Sequence, residues 1–279
     1  MRNMQKNNLR KKFMNLVDAR TLNTETKREV PSGLYLDLKD GPILKKYLEA
    51  IDVENHFYID IGASYHFNMP EETVKKSDLT IFFEADLEKI SRYNNWNLDN
   101  FHLITEKATP DNVVGLIRNI TNNSNPKLLD LDIDGYDFFV LESLLKEITP
   151  SLIVAEINEK IPPPIKFSVK YDPDYWWDTS HFYGMSLSKC CELLNEHGYE
   201  LINLTFNNVY AVRKDKNPGF KAYSASEAYN LFYRYAGWET YFHSNENMRP
   251  LLRLGPEKGV EWLQDFFKDY DKDKYDLYI

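Results

Sequence analysis

The stretch Leu129-Asp130-Leu131-Asp132-Ile133-Asp134-Gly135-Tyr136-Asp137 places four carboxylates within eight residues. That many acids cannot all be buried without partners. Hard oxygen donors at this density could hold Mg2+ or a similar cation. They could equally cap a helix and bind ligand hydroxyls with no metal. If residues 127–133 form a strand, Asp130 and Asp132 share one face. Asp134 and Asp137 then line the loop and first helical turn that follow. Glu156 closes the next apolar run. Asp132, Asp134 and Glu156 are accordingly the candidate metal ligands.

Asp60-Ile61-Gly62-Ala63-Ser64 forms a second constellation. Gly62 permits a tight turn and close approach of a ligand to the backbone. The pattern is not GxGxxG, because His66 stands four positions after Gly62. A pyrophosphate therefore finds no glycine-rich cradle, whereas S-adenosylmethionine, which has no phosphate, needs none. Glu84 ends the next apolar run, 24 residues after Asp60. A carboxylate there can accept hydrogen bonds from both ribose hydroxyls of an adenosine-type cofactor, or it can simply begin a helix at the surface.

The connection from Ile157 to Met185 reads as a long loop. Seven of its 29 residues are Phe, Tyr or Trp, against about four expected from the 14% aromatic content of the chain. Long loops at strand ends usually carry function. Pro162, Pro163 and Pro164 stiffen this one. Exposed aromatic faces beside carboxylates suit a carbohydrate, and the alternative is that Trp176 and Trp177 only pack the loop down. His181, His66 and Asp132 are the candidate general bases.

These residues need elements to position them. Apolar runs at 57–62, 79–84, 101–104, 127–133 and 151–156 alternate with helical patterns at 86–94, 110–119 and 136–147, and another helix is expected from Pro70. The alternation predicts βαβ units and a parallel sheet. A helix is expected over 186–197, then strands at 199–204 and 208–212 joined by a turn short enough for an antiparallel hairpin. A parallel sheet closed by such a hairpin is more characteristic of class I methyltransferases than of dehydrogenases. In such a sheet, ligands bind beyond the carboxyl ends of the strands. That rule selects Asp60 to Ser64, Glu84, Glu106 to Thr109, Asp130 to Asp137, and Glu156 to Asn158. With the loop residues added, Asp60, Gly62, Ala63, Ser64, Glu84, Ala85, Lys107, Ala108 and Asp130 are the candidate cofactor-lining residues, His66, Asp134, Glu156, Asn158, Tyr175, Trp176 and Tyr183 the candidate acceptor residues, and Asp132 and His181 the catalytic candidates.

The flanks differ from this core. Residues 1–54 read as a helical leader, with a short amphipathic helix over 42–51. Residues 55–215 read as the core. Residues 216–279 read as an aromatic-rich helical extension, over 222–238 and 256–270, that packs on the core or on a second subunit; the tail from Lys268 reads as a solvated end. Residues 1–30 carry eight Lys or Arg against three Asp or Glu, so of the net −9 the rest of the chain carries −14. An acidic body argues against nucleic acid as the main partner. No apolar stretch approaches the roughly 18 residues of a membrane span, and the basic N-terminus is not followed by an apolar signal segment. The two cysteines, Cys190 and Cys191, are adjacent and poorly placed to bridge each other. A cytoplasmic, reducing location is expected.

Asp132-Ile133-Asp134-Gly135-Tyr136-Asp137 and the following Phe138–Leu144, with the later Glu156-Ile157-Asn158 and Tyr183-Gly184-Met185-Ser186-Leu187, resemble FkbM-type S-adenosylmethionine-dependent methyltransferases over roughly residues 55–215. The resemblance implies a Rossmann-like class I fold and O-methylation, often of a sugar hydroxyl. It places Asp60, Gly62 and Ser64 along the cofactor, Glu84 on its ribose and Asp132 at the methyl-transfer centre. The chain departs from the family pattern at His66, commonly a glycine, and at Asp134, commonly a Glu. Two rival readings stand beside this one. Asp132-Ile133-Asp134 is a D-x-D, the spacing that holds a divalent ion against a nucleotide-sugar diphosphate in a glycosyltransferase. His66 and the aromatic C-terminal helices would also suit an inactive, methyltransferase-like interaction module.

Overall fold

A computed structural model describes residues 40–64, 71–93, 96–122, 124–234 and 243–279. The basic leader at 1–30, His66 and the end of the helix expected over 222–238 lie outside these described residues.

Seven strands form one sheet: β1 (Phe57–Ile61), β2 (Leu79–Phe83), β3 (Phe101–Ile104), β4 (Leu128–Leu131), β5 (Leu152–Glu156), then β7 (Tyr199–Thr205) and β8 (Asn208–Arg213). Their order is β3-β2-β1-β4-β5-β8-β7. The first five run parallel, while β8 is antiparallel to β5 and β7 to β8. The central strands are buried on both faces, which is why they read as nearly unbroken apolar runs. The expected fold class is therefore the observed one.

The strand order reverses between β1 and β4, the kind of switch point beyond whose carboxyl ends open sheets bind ligands. Asp60 and Asp130 are direct register partners there. The flanking Ile59, Ile61, Leu129 and Leu131 are fully buried.

Helices cover both faces. On one lie α4 (Val113–Thr121), α5 (Asp137–Glu147) and α6 (Leu187–Glu196), which bury Val113, Ile117, Leu141, Leu144, Leu187 and Leu194 against the sheet. On the other lies α1 (Asp40–Ala50), whose Ile43, Leu44, Tyr47 and Leu48 form the apolar stripe read from the sequence. The elements expected from Pro70 and over 86–94 are shorter than their patterns: α2 spans Glu71–Val74, and α3 (Leu87–Ile90) continues into a 3₁₀ turn, Ser91–Tyr93. After α7 (Ala225–Ala228), Tyr229–Arg234 forms a wider π-helical turn that buries Tyr229, Phe232 and Tyr233 on the main core.

Two expectations are corrected. The segment 157–185 is not a plain loop, because it contains β6 (Lys166–Val169). The C-terminal tail is not a solvated end, because it forms β9 (Tyr275–Tyr278), paired antiparallel with β6. With α8 (Pro256–Phe266) these strands enclose a third core of Ile165, Phe167, Phe182, Leu251, Leu263, Phe267 and Tyr275. Phe182 stacks on Tyr270 at 3.9 Å between ring centroids, and Phe167 on Phe267 at 5.3 Å. The aromatics of the extension are thus used within the chain. Each strand has only four residues, and their partners lie more than 100 residues apart, so neither leaves a periodic signal by itself.

Phe167 is fully buried in this third core. Phe167→Ala is expected to lower the unfolding free energy by about 3–5 kcal/mol, the range for a buried Phe. Urea denaturation measures this; a loss under about 1 kcal/mol would mean the strand pair is not packed as described.

Candidate active site

The site begins where the β1 and β4 turns meet. Gly62 has φ +91°, and a Cβ at that position would lie 1.8 Å from the Asp132 carbonyl oxygen. The Asp132 N–H donates to the Ile61 carbonyl at 2.9 Å. The two turns are therefore joined at backbone level, and only glycine fits.

Glu84 fixes the rest of the first turn. Its Oε2 accepts from the Ser64 N–H at 2.7 Å and its Oε1 from the Asp86 N–H at 2.8 Å. The N–H groups of Gly62 and Ala63 both donate to the Phe83 carbonyl. The Tyr93 hydroxyl donates to the carbonyls of Ala63 and Ser64 at 3.2 and 2.9 Å. A carboxylate has roughly four acceptor positions, so Glu84 can hold the turn and still accept from ligand hydroxyls. Ala85 is half-buried beside it.

Acids collect in the crevice. Asp60 is buried, and burial holds its carboxyl well above the usual range, with Asp130, Asp132 and Glu84 adding like charge. Asp137 closes the second turn: its Oδ1 accepts from the Ile133 N–H at 2.9 Å and its Oδ2 from the Gly135 N–H at 2.8 Å. Complete burial outweighs these bonds and raises its pKa to about 7. The turn bends through Asp134 at φ 55°.

Among the described residues, Asp132, Asp134 and Glu156 form a three-acid group whose nearest oxygens all lie within 4.8 Å of one another. Glu156 is buried, and its Oε1 accepts from the Asn207 amide; its Oε2 is buried with no hydrogen-bond partner. Burial, then the charges of Asp132 and Asp134, push its carboxyl well up.

The aromatic loop folds onto this turn. The Tyr175 ring would meet a Cβ at Gly135 at 3.0 Å, and its hydroxyl donates to the Phe182 carbonyl at 2.6 Å. Lys107 straps the loop down: its Nζ donates to the carbonyls of Pro173 and Tyr175 at 3.0 and 2.7 Å and lies 4.7 Å from the Trp176 ring centre. Its ammonium is thus committed to the loop. Ala108 is buried, and its carbonyl accepts from the Tyr136 hydroxyl. Trp176 is 68% exposed, whereas Trp177 is half-buried with its ring edge against Tyr183. Asn158 supports the loop by donating to the carbonyls of His181 and Tyr183. The His181 Nε2 bonds Asn247 Oδ1 at 2.9 Å, and its ring lies against Phe266, both in the C-terminal segment.

Several neighbours escaped the sequence reading. Lys160 donates to Glu159 at 3.1 Å and to the Tyr183 hydroxyl at 2.6 Å, and all three are buried. Burial beside Glu159, Glu156 and Asp134 raises the Tyr183 hydroxyl. An adjacent Glu-Lys pair in a loop reads as a solvated face; its place just past a strand end was the available signal. Asn207 read only as a turn residue.

No protein-family model matches the chain, and no curated protein matches it. Solved structures do. A precorrin-6y C5,15-methyltransferase from Geobacter metallireducens is 14% identical, with 66% of this chain and 94% of that one covered and a TM-score of 0.37. A SAM-dependent methyltransferase from Aquifex aeolicus is 15% identical, covering 64% and 92%, at 0.39. An S-adenosylmethionine-dependent methyltransferase from Clostridium acetobutylicum is 9% identical, covering 64% and 92%, at 0.38. At this level of likeness, any function rests on the chain's own strand order and site. No helix among the described residues is long and apolar enough to cross a membrane.

Gly62→Ala is expected to cost about 1–3 kcal/mol more than Gly198→Ala. Both glycines have positive φ, but nothing lies within 4 Å of a Cβ at Gly198, so only the Gly62 variant adds overpacking. Equal losses in urea denaturation would remove the close approach from the argument. A second expectation concerns pH. A raised carboxyl means that the folded state binds the extra proton, so its contribution is complete below the unfolded pKa near 4 and is lost as pH rises through about 7. The stability of the wild type relative to Asp137→Asn should therefore fall between pH 4 and 7, and a flat difference would contradict burial of this acid.

Proposed function

We propose that this protein is an S-adenosylmethionine-dependent O-methyltransferase of the FkbM type that methylates a hydroxyl of a sugar or other polyhydroxylated small molecule. The observation that carries the reading is the gathering of strand-end acids from β1, β2 and β4 around a glycine that leaves no room for a side chain. A sulfonium cofactor is cationic at the reacting centre, and an acidic crevice suits it. The same acids would repel a diphosphate, and no glycine-rich loop is there to hold one.

The residues fit that cofactor. The Gly62–Ser64 turn gives it backbone to lie along, and Glu84 has acceptor positions left for ribose hydroxyls. Asp60 and Asp130 face it from the ends of β1 and β4. When bound, the cofactor supplies a methyl group activated by positively charged sulfur. The chain's own residues do the rest. Asp132 and Asp134 would orient the acceptor hydroxyl, and Asp132 would take its proton as the oxygen accepts the methyl group. Tyr175, Trp176 and Tyr183 cover the acceptor and exclude water. His181, engaged with Asn247, positions the loop that carries Tyr183.

The buried, unbridged Cys190 and Cys191 suit a reducing cytoplasm, with the Cys191 thiol pushed up to about 12 by burial. The boundaries at residues 55 and 215 are proposed as the limits of the catalytic core. The aromatic extension is spent on the third core, which favours a small-molecule acceptor over a partner protein as its main contact.

Calorimetry with S-adenosylhomocysteine and with UDP tests the assignment. The first is expected to bind and the second not; the reverse would indicate the glycosyltransferase reading. Glu84→Ala is expected to weaken S-adenosylhomocysteine binding by about 1.5–3 kcal/mol, and Asp132→Asn to abolish methyl transfer with the fold intact. Cofactor affinity with no transfer to any hydroxylated acceptor would leave an interaction module.

A further inference from the structure

We propose that residues 172–176 form a strap latched by Lys107, and that a nucleoside-type ligand enters and leaves the ends of β1 and β2 only when Lys107 releases it. The ligand half of this inference rests on the methyltransferase reading; the latch itself does not.

Every residue from Tyr171 to His181 is half-buried or exposed, whereas Val169 and Phe182 on either side are buried. The segment runs through turns and bends, so it takes its shape from the side chains that reach it. Lys107 ties one side. Its Nζ donates to the carbonyls of Pro173 and Tyr175 at 3.0 and 2.7 Å, and it lies 4.7 Å from the Trp176 ring centre. Burial lowers the pKa of this ammonium, and the charges of Asp172 and Asp174 oppose the shift. Lys274 ties the other side, with its Nζ 3.1 Å from Asp172 Oδ2. Tyr171 and Tyr175 set their rings edge-on to Tyr136, at 4.9 and 6.3 Å between centroids. Both ammonium groups are within reach of water, which competes for them, so the ties can open without disturbing a core.

The turns that the strap joins give it its role. In the strand order β3-β2-β1-β4-β5, the turns after β3 and β4 flank the ends of β2 and β1. Lys107 stands in the turn after β3. Gly135, against which the Tyr175 ring lies, stands in the turn after β4. Between these two turns are Glu84 and the Gly62–Ser64 turn, the groups assigned above to the ribose and to the length of the cofactor. Lys107 is thus a positioning residue, which acts on the strap rather than on the ligand.

A latch of this kind has a kinetic signature. The open fraction enters the association and dissociation rates equally, so loosening the latch speeds both by one factor and leaves Kd unchanged. A ligand contact, when removed, speeds dissociation alone and weakens binding.

The test uses the full chain. Chymotryptic cleavage between Tyr171 and Trp177, located by mass spectrometry, tracks the open fraction of the strap. Surface plasmon resonance gives both rates for S-adenosylhomocysteine. Lys107→Met, which keeps the stem and removes the ammonium, is expected to speed cleavage by about tenfold or more and to raise both rates together at constant Kd. Should that variant lose its thermal transition, Lys274→Met, which removes the other tie, is expected to shift the same quantities in the same direction. Cleavage unchanged in a folded variant would overturn the latch. Faster cleavage with unchanged ligand rates, or with faster dissociation alone, would overturn the gate while leaving the methyltransferase reading in place. If S-adenosylhomocysteine does not bind the wild type, that reading falls and the gate with it, and the cleavage rates still decide the latch.

Discussion

The backbone contact between the β1 and β4 turns governs the site. Because no side chain fits at Gly62, the carbonyl of Asp132 comes up against the end of β1. That closeness brings the strand-end acids of two parallel strands within electrostatic reach of each other. With a bulkier residue the turns would separate, and Asp60, Asp130 and Asp132 would no longer share one crevice. The parallel register makes the arrangement possible, since Asp60 and Asp130 sit at the same height on adjacent strands. The close approach then joins the turns after two neighbouring strands into one acidic surface.

Concentrated acid is costly in a buried place, and the structure offsets it in two ways. Backbone N–H groups are aimed at Glu84 and Asp137, so these two acids hold turns in shape. Burial raises the carboxyls of Asp60, Asp137 and Glu156, which favours their neutral forms and lowers the repulsion.

The sheet was legible because its signal is local. Each of Phe57–Ile61, Leu79–Phe83 and Leu128–Leu131 is short, mostly apolar and followed by a polar turn, so existence and approximate ends could be read. The strand-end acids followed from the general placement of ligands in open sheets. What was not legible depends on distant pairing. The side chain of Lys107 sits at a strand end as expected, yet its partners are carbonyls of a loop some 66 residues later. The β6–β9 pair joins residues more than 100 apart, and neither half alternates for long enough to be seen alone. Glu84 was placed correctly, but nothing in its spacing shows that it also bonds the backbone of Ser64.

The C-terminal segment explains how a loop of small, polar and aromatic residues can hold a definite shape above the acids. Residues 157–185 leave β5 at the site and return to it at Asn158 and Gly184, where the Gly184 N–H donates to the Gly135 carbonyl. Between those points the loop gives Ile161, Ile165, Phe167, Val169 and Phe182 to a core that the C-terminal segment completes. Strand β9 supplies a backbone partner for β6, and α8 supplies Leu263 for the core beneath it. The His181–Asn247 bond and the Phe182–Tyr270 stack then fasten the far side of the loop to the same segment. Tyr175 and Tyr183 are consequently held between two fixed bodies, the acidic turn on one side and the third core on the other. The loop is thereby braced from both sides, by the acidic turn and by the third core.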